Sequence, residues 1–249
     1  MAEFSMKIAG HTARVSSLFE STPQYFRFYL TDDTPEFSIS VTRENIAFEQ
    51  ADLLEEAHRD GFKPRVFTDP FLERAAIQRA FAEYLFDHSI LLFHGSAIAV
   101  DGKGYLFTAP SGTGKSTHIR LWRKHLGKKV GIVNGDKPFV SLDGEIPHIY
   151  GTPWAGKEGW QRNCRASLSG ICIVQRGETN SIRKIDASEA LPILFKQIYL
   201  PKEAKSLDQT LALMDVLLKK VPIYLLQCDI SEEAVQCSFE ALTGLPYRP

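Results

Sequence analysis

Residues 106–117 read Leu-Phe-Thr-Ala-Pro-Ser-Gly-Thr-Gly-Lys-Ser-Thr. A β-favouring run enters a turn of small residues and leaves through His118-Ile119-Arg120-Leu121-Trp122, a helical stretch. This order commits the chain to a strand–loop–helix unit. Small residues let backbone N–H groups curl round an anion, and the helix aims its positive end at the same point. Lys115 is placed to reach the β- and γ-phosphates of a nucleotide, and the Ser116 hydroxyl to coordinate Mg²⁺. Ser111, Gly112, Thr113, Gly114, Lys115, Ser116 and Thr117 therefore read as a site for ATP with Mg²⁺. Against the pattern G-x-x-x-x-G-K-[ST], Ala109 stands in place of the first Gly, which is tolerated where φ is negative. The competing reading is a Gly/Ser-rich loop that holds no ligand.

The rest of the composition narrows the function classes. The chain has 249 residues, 44% hydrophobic and 24% charged, the ordinary mix of a soluble globular protein. A formal net charge of -1 argues against a broad nucleic-acid footprint or a polybasic membrane surface. No stretch approaches the roughly 18 uninterrupted apolar residues of a spanning helix, and Met1–Lys7 lacks the layout of a secretory signal. A cytoplasmic protein is the expectation. Cys164, Cys172, Cys228 and Cys237 form no C-x-x-C pair, so they read as reduced thiols rather than a zinc site.

Along the chain, residues 6–50 look strand-rich, with Phe26–Leu30 and Phe37–Val41 as short β-favouring runs around a turn at Thr31–Pro35. Asp52–His58 reads as a short helix closed by Gly61. Asp69-Pro70 opens a longer one, with Asp69 at the N-cap and Phe71, Ala75, Ile77, Phe81 and Leu85 as its core face. Ser89–Phe93 is an apolar strand. Ser96–Val100 and Tyr105–Thr108, joined by Asp101-Gly102-Lys103-Gly104, carry a hairpin signal. The strand feeding the loop is thus expected to pair antiparallel with its predecessor. Further strands are expected at Val130–Val133, Phe139–Leu142, Gly170–Gln175 and Ile223–Gln227. Helices are expected near Ala187–Tyr199, Leu207–Lys219 and Glu232–Leu242, with Ser206 and Gln209 as a capping box. The division expected is 1–88 and 89–249.

His94-Gly95, a hairpin, then Ala109–Thr117, then Asp136 about twenty residues past the lysine: this order resembles the HPr kinase/phosphorylase family. The loop wording also resembles the phosphoenolpyruvate carboxykinases, which share that fold. The resemblance covers roughly residues 89–180. It implies an α/β domain with a mixed sheet around the phosphate loop. Residues 1–88, outside the resemblance, read as a smaller strand-rich α+β region that shapes the acceptor site or an oligomer contact. Gly-Thr-Pro-Trp-Ala-Gly-Lys-Glu-Gly-Trp, residues 151–160, resembles HPr-kinase-like proteins found beside peptide-modification genes, some of them peptide-tailoring kinases. In the family two adjacent Asp residues follow the loop. Here Gly135 stands where the first would be. By the same resemblance His94 sits near the acceptor and Asp136.

Asp136 ends a strand near the loop, where a carboxylate can hold Mg²⁺ or take the proton of an attacking hydroxyl; the bland alternative is a turn Asp. His94 is as often structural as functional at a strand end. Lys157 and Arg162, with Trp154 interleaved, frame a second Gly-rich stretch able to bring positive charge to a transferring phosphoryl group. Arg176 is a weaker candidate. The expectation is an ATP-dependent kinase. Asp136, Lys115, His94 and Lys157 are its catalytic residues, Ser116 and Asp136 its Mg²⁺ ligands, and Trp154, Lys157 and Arg162 contact a hydroxyl acceptor. That acceptor is a Ser/Thr of a peptide or protein, or a small metabolite. The alternatives are an ATP-binding regulatory module without catalysis, or a site that runs phosphorolysis or hydrolysis.

Overall fold

The structure, a computed structural model, describes residues 1–59, 61–110, 112–201 and 206–249, the side chain of Ser206 excepted. Ser111 of the loop and the Ser206 half of the capping box therefore lie outside the described residues. The chain divides into two compact units, Met1–Leu85 and Phe86–Pro249.

In the first unit, β1 (Ala2–Ile8) and β2 (His11–Ser17) form an antiparallel hairpin. The short helix α1 (Thr22–Tyr25) follows, and β3 (Phe37–Ser40) adds parallel to β2. Phe26–Leu30, expected as a strand, is a turn. Thr22-Pro23 starts α1, and the Tyr29 N–H closes back on the Phe26 carbonyl at 2.8 Å, so only Leu30 bridges to Met6. The helix α2 (Arg43–Arg59) is far longer than Asp52–His58. Thr42 and Asn45 cap it reciprocally: the Thr42 N–H donates to Asn45 Oδ1 at 2.9 Å, and the Asn45 N–H to Thr42 Oγ1 at 3.4 Å. The helix α3 (Asp69–Phe86) buries Leu72, Ile77, Phe81 and Leu85, whereas Phe71, expected in the core, faces solvent. Glu73 is fully buried on α3 and accepts hydrogen bonds from the Leu18 N–H and the Thr22 hydroxyl, which locks the β2–α1 connection to the helix.

The second unit is a mixed sheet between helices. Its strands are β4 (Ile90–Leu92), β5 (Ser96–Val100), β6 (Lys103–Thr108), β7 (Gly131–Asn134), β8 (Phe139–Ser141), β9 (His148–Tyr150), β10 (Arg165–Arg176), β11 (Ser181–Ile185) and β12 (Ile223–Cys228). The order runs β4-β8-β9-β10-β6-β5-β7, and β12, itself paired with β11, joins the far half of β10. The hairpin β5–β6 forms as the sequence signals, Ser96 opposite Phe107, with Asp101 and Gly102 at positive φ. Strands β9 and β11 carry no clear sequence signal.

Alternation along the central strands sorts the core. Tyr105 and Phe107 on β6, and Cys172 and Val174 on β10, face one side with Ile119 and Trp122 of α4 (Lys115–Leu126) and Phe239 of α7 (Glu232–Thr243). Leu106, Ile171 and Ile173 face the other, with Leu194 of α5 (Ala187–Leu194) and Met214 and Leu217 of α6 (Ser206–Lys220). Burial on both faces is what a parallel trio of β6, β10 and β12 requires. All four cysteines are free thiols. The helix expected over Ala187–Tyr199 stops at Leu194, with Pro192 inside it and a 3-10 turn at Phe195–Gln197. The backbone beyond is taken by β4: Ile198 bridges to Phe93, and the Tyr199 N–H donates to the Leu92 carbonyl at 2.8 Å. Among the described residues no helix is long and apolar enough to cross a membrane.

Candidate active site

The loop after β6 is shaped by its glycines and by two cations. Gly112 and Gly114 sit at φ 77° and 122°, conformations that side-chain-bearing residues rarely adopt. Gly114 occupies the N-cap of α4 and supplies no side chain to it, so the first-turn N–H groups are open to an anion in front of the helix. The Lys115 ammonium is buried and folds back on the loop, donating to the Ala109 carbonyl at 2.7 Å and the Pro110 carbonyl at 3.4 Å. Arg176, at the end of β10, donates through Nη2 to the Gly112 carbonyl at 2.6 Å and through Nε to the Thr113 carbonyl at 3.1 Å. With carbonyls tied down from both sides, the loop is held from strand β10 as well as from its own lysine.

A second turn faces it from the end of β7. Asn134 is fully buried and fully used: its Nδ2 donates to the Thr152 carbonyl at 2.9 Å and to Thr152 Oγ1 at 3.0 Å, and its Oδ1 accepts from the N–H groups of Asp136 and Lys137 at 2.9 and 2.7 Å. Thr152 Oγ1 in turn donates to the Lys137 carbonyl at 2.7 Å, and Ser96 Oγ to the Gly135 carbonyl at 2.6 Å. These bonds fix Asp136 in place. The Gly95 N–H donates to the Asp136 carbonyl at 2.8 Å, which brings His94 Nε2 to 3.5 Å from Asp136 Oδ1.

The electrostatics follow from burial. Desolvation, with the Lys137 and Lys115 ammoniums adding to it, pushes the His94 imidazole down to about 3. His94 is therefore neutral at working pH, and its approach to Asp136 is a polar contact rather than an ion pair. Burial raises the Asp136 carboxyl, against the pull of Lys137 and Lys115, which makes it a better proton acceptor than an exposed aspartate. Desolvation brings Lys115 down to about 8; Asp136 opposes that shift and Lys137 adds to it.

The structure brings His94, Lys115 and Asp136 together, as the sequence suggests, and adds Lys137, whose position beside an Asp in a turn carries no motif. Among the described residues the Lys137 ammonium makes no hydrogen bond. The segment 151–160 supplies one wall. A Cβ on Gly156 would stand 3.0 Å from Asp136 Cβ, so this glycine admits the carboxylate against its backbone. Trp154 is buried, Lys157 is exposed one residue past Gly156, and the segment is anchored to α4 by Glu158, which accepts from Arg120 Nη2 at 2.6 Å. Arg120 and Arg123 also lie over the Trp160 ring, 5.9 and 5.7 Å from its centroid. Arg162 points elsewhere: its guanidinium borders Gly131, at the start of β7, whereas Asp136 lies in the turn beyond the end of that strand. Ser116 is half-buried and Thr117 exposed on the first turn of α4.

Position 135 has no room for a side chain. A Cβ there would lie 2.6 Å from the Ala155 carbonyl oxygen and 3.2 Å from Trp160 Cβ, so the segment 154–160 occupies the space that a side chain would enter.

No family model matches the chain, and no curated protein does either. Among solved structures, the HPr(Ser) kinase/phosphatase from Coxiella burnetii aligns at 11% identity over 61% of this chain and 93% of that one, with a TM-score of 0.35.

Proposed function

We propose that the second unit is an ATP-dependent kinase that transfers the γ-phosphate to an alcohol. The observation that carries it is the convergence, at one end of the sheet, of a glycine-shaped loop, Lys115 and a carboxylate raised by burial, Asp136, beside the neutral imidazole of His94. The loop and the first turn of α4 cradle the phosphates, and Lys115 moves from the loop carbonyls to the β- and γ-phosphates. Asp136 accepts the acceptor hydroxyl's proton; His94 orients that hydroxyl. Lys137 and, once the 154–160 segment closes, Lys157 supply charge to the transferring group.

For Mg²⁺ the donors at hand are Ser116 Oγ and the Asp136 carboxylate. Among the described residues no three His, Cys, Asp or Glu side chains cluster to form a cage. A Mg²⁺ carried by phosphates needs only one or two protein oxygens, so this donor set fits. Bound there, the ion would neutralise charge on the β- and γ-phosphates. The acceptor is a Ser/Thr of a peptide or protein, or a small hydroxylated metabolite.

A second reading is favoured by one observation: the place of a first acid is filled by Ala155 and Trp160, as in a site that binds ATP without turning it over. Incubation with γ-labelled ATP and candidate acceptors separates the two. Asp136→Asn should retain ATP and lose about 10²–10⁴ in transfer rate, the usual share of a general base. Lys115→Ala should lose ATP. Binding in wild type without transfer or hydrolysis establishes the second reading; absence of binding refutes both.

A further inference from the structure

An open cleft of about 450 Å³ lies along the far part of α4. Arg120, Arg123, Lys124 and Lys128 line it, together with Gly127 and Val130. All four cations are exposed. Arg120, Arg123 and Lys124 share one face of α4 by their spacing, and Lys128 follows just past its end. Among the described residues only Arg120 of the four is ion-paired, to Glu158 at 2.6 Å. A helix C-terminus favours cations, which accounts for Arg123 and Lys124 in the last turn. It does not account for Arg120, earlier in the helix, or for Lys128 beyond it. In a chain of net charge -1, the cleft is a local excess of positive charge that an anionic partner offsets.

Two features assign the occupant. The first is spread. From Arg120 to Lys128 the charges extend over about 12 Å, at ~1.5 Å per residue. That suits an extended chain bearing several carboxylates better than one compact anion. The second is continuity with the candidate active site. Gly156 stands against Asp136, and from there the chain runs back beside β7, where Gln161 bridges to Asn134 in the antiparallel sense. Trp160 lies under Arg120 and Arg123, which holds their guanidiniums in place, and Arg162 borders Gly131, next to Val130 of the cleft. One wall of the site thus continues into the cleft. From Val130 to Asn134 the chain spans about 13 Å at ~3.3 Å per residue, the length of about four residues of extended peptide.

We propose that this cleft docks an acidic stretch of the acceptor, a peptide or protein segment. Its glutamates or aspartates lie about four or more residues from the hydroxyl that takes the phosphate. The proposal rests on the kinase reading for that hydroxyl and stands apart from it for the docking itself. Exposed charges of this kind select the partner and speed its encounter more than they add affinity. A chain with no overall positive charge fits an acidic peptide better than a nucleic acid.

The test is fluorescence anisotropy of labelled synthetic peptides with the full chain, first without ATP. One peptide carries a serine and a run of glutamates about five residues from it; its counterpart has glutamines in the run. The glutamate peptide should bind about 10-fold more tightly at low salt, and the advantage should shrink as salt is raised. Lys124→Glu with Lys128→Glu should abolish the preference and leave ATP binding unchanged, which also shows that the variant folds. Equal binding of the two peptides to wild type, or a preference that survives in the double variant, overturns the proposal. So does a single-stranded oligonucleotide that displaces the glutamate peptide from wild type at lower concentration, because the cleft would then be a nucleic-acid site. Labelled ATP added afterwards separates the two readings. Docking that depends on the lysines without transfer to the serine keeps the cleft and removes the kinase; equal transfer to both peptides does the reverse.

Discussion

Replacing Gly135 with alanine tests whether the 154–160 segment truly excludes a second acid. The added methyl would stand 2.6 Å from the Ala155 carbonyl oxygen, roughly 0.7 Å inside an ordinary contact, and 3.2 Å from Trp160 Cβ. Neither obstacle is the flexible end of a side chain. Gly135 has no positive φ, so the cost is steric and not conformational. Overpacking against backbone of this kind costs about 1–3 kcal/mol, and at ~2–4 °C per kcal/mol for a unit of this size the midpoint falls by about 2–12 °C. Gly131, four residues earlier at the start of β7, is the control: its nearest atoms would be 3.8 and 3.9 Å from a new Cβ, so Gly131→Ala should be neutral or slightly stabilising. All three tryptophans, Trp122, Trp154 and Trp160, lie in the second unit, so thermal melts followed by tryptophan fluorescence report that unit directly. A Gly135→Ala midpoint equal to that of Gly131→Ala would show that the segment yields to a side chain, and the packing explanation for the missing acid would be wrong.

Three further outcomes are expected. Lys115, held near 8 by burial, is about half neutral at pH 8; phosphate beside it favours the charged form, so ATP binding at pH 8 should take up about half a proton, seen calorimetrically as a dependence on buffer ionisation enthalpy that disappears at pH 6.5. Arg176→Ala frees the carbonyls of Gly112 and Thr113 and should weaken ATP binding about 5-fold; unchanged affinity would mean the loop keeps its shape without that clamp. His118 is buried with Trp122 and Ser238, its Nε2 2.9 Å from Ser238 Oγ, and burial lowers it to about 4. Its unfolded form takes a proton below about 6.5 that the folded form refuses until about 4, so stability is full above 6.5 and falls as the pH drops through that window, by about 2 kcal/mol at pH 5. Melting midpoints at pH 7 and 5 should therefore converge in His118→Gln, and an undiminished pH effect would rule this histidine out as the cause.

What the sequence made legible is local. The loop, the β5–β6 hairpin and the helix α4 each sit within a dozen residues, and their turn residues and spacing declare them. Asp136 was legible because a strand end beside the loop is a short step from the motif. The partners that complete the site are distant in sequence. Arg176 reaches the Thr113 carbonyl across 63 residues, and Asn134 reaches Thr152 across 18. Lys137 and the contact of Gly135 with Ala155 depend on how strands order in the sheet, which spacing does not encode. The same limit explains the errors in the first unit. Phe26–Leu30 has strand composition, but Thr22-Pro23 starts a helical turn just before it, and tertiary context overrides the preference of so short a run. The early part of α2, residues 43–51, is rich in helix formers, and what hides its start is the Thr42–Asn45 cap, which uses Asn where the usual signature has Glu or Gln.

The charge at the loop end gives the assembly its sense. Lys115 and Lys137 each depress the neighbouring His94, Lys137 depresses Lys115, and the Asp136 carboxylate pulls Lys115 the other way. In an isolated protein such a cluster is self-opposed: two ammoniums and one carboxyl raised by burial, in a chain of net charge -1, hold an excess of positive charge where the sequence as a whole has none. Lys115 occupies itself with loop carbonyls, a weaker partner than an anion. The arrangement becomes favourable only when a multiply charged anion enters, since each negative oxygen then offsets a repulsion already present in the fold. On the proposed kinase reading, this imbalance is what would draw a polyphosphate to Lys115 and Lys137, with the Asp136 carboxylate left to take the proton.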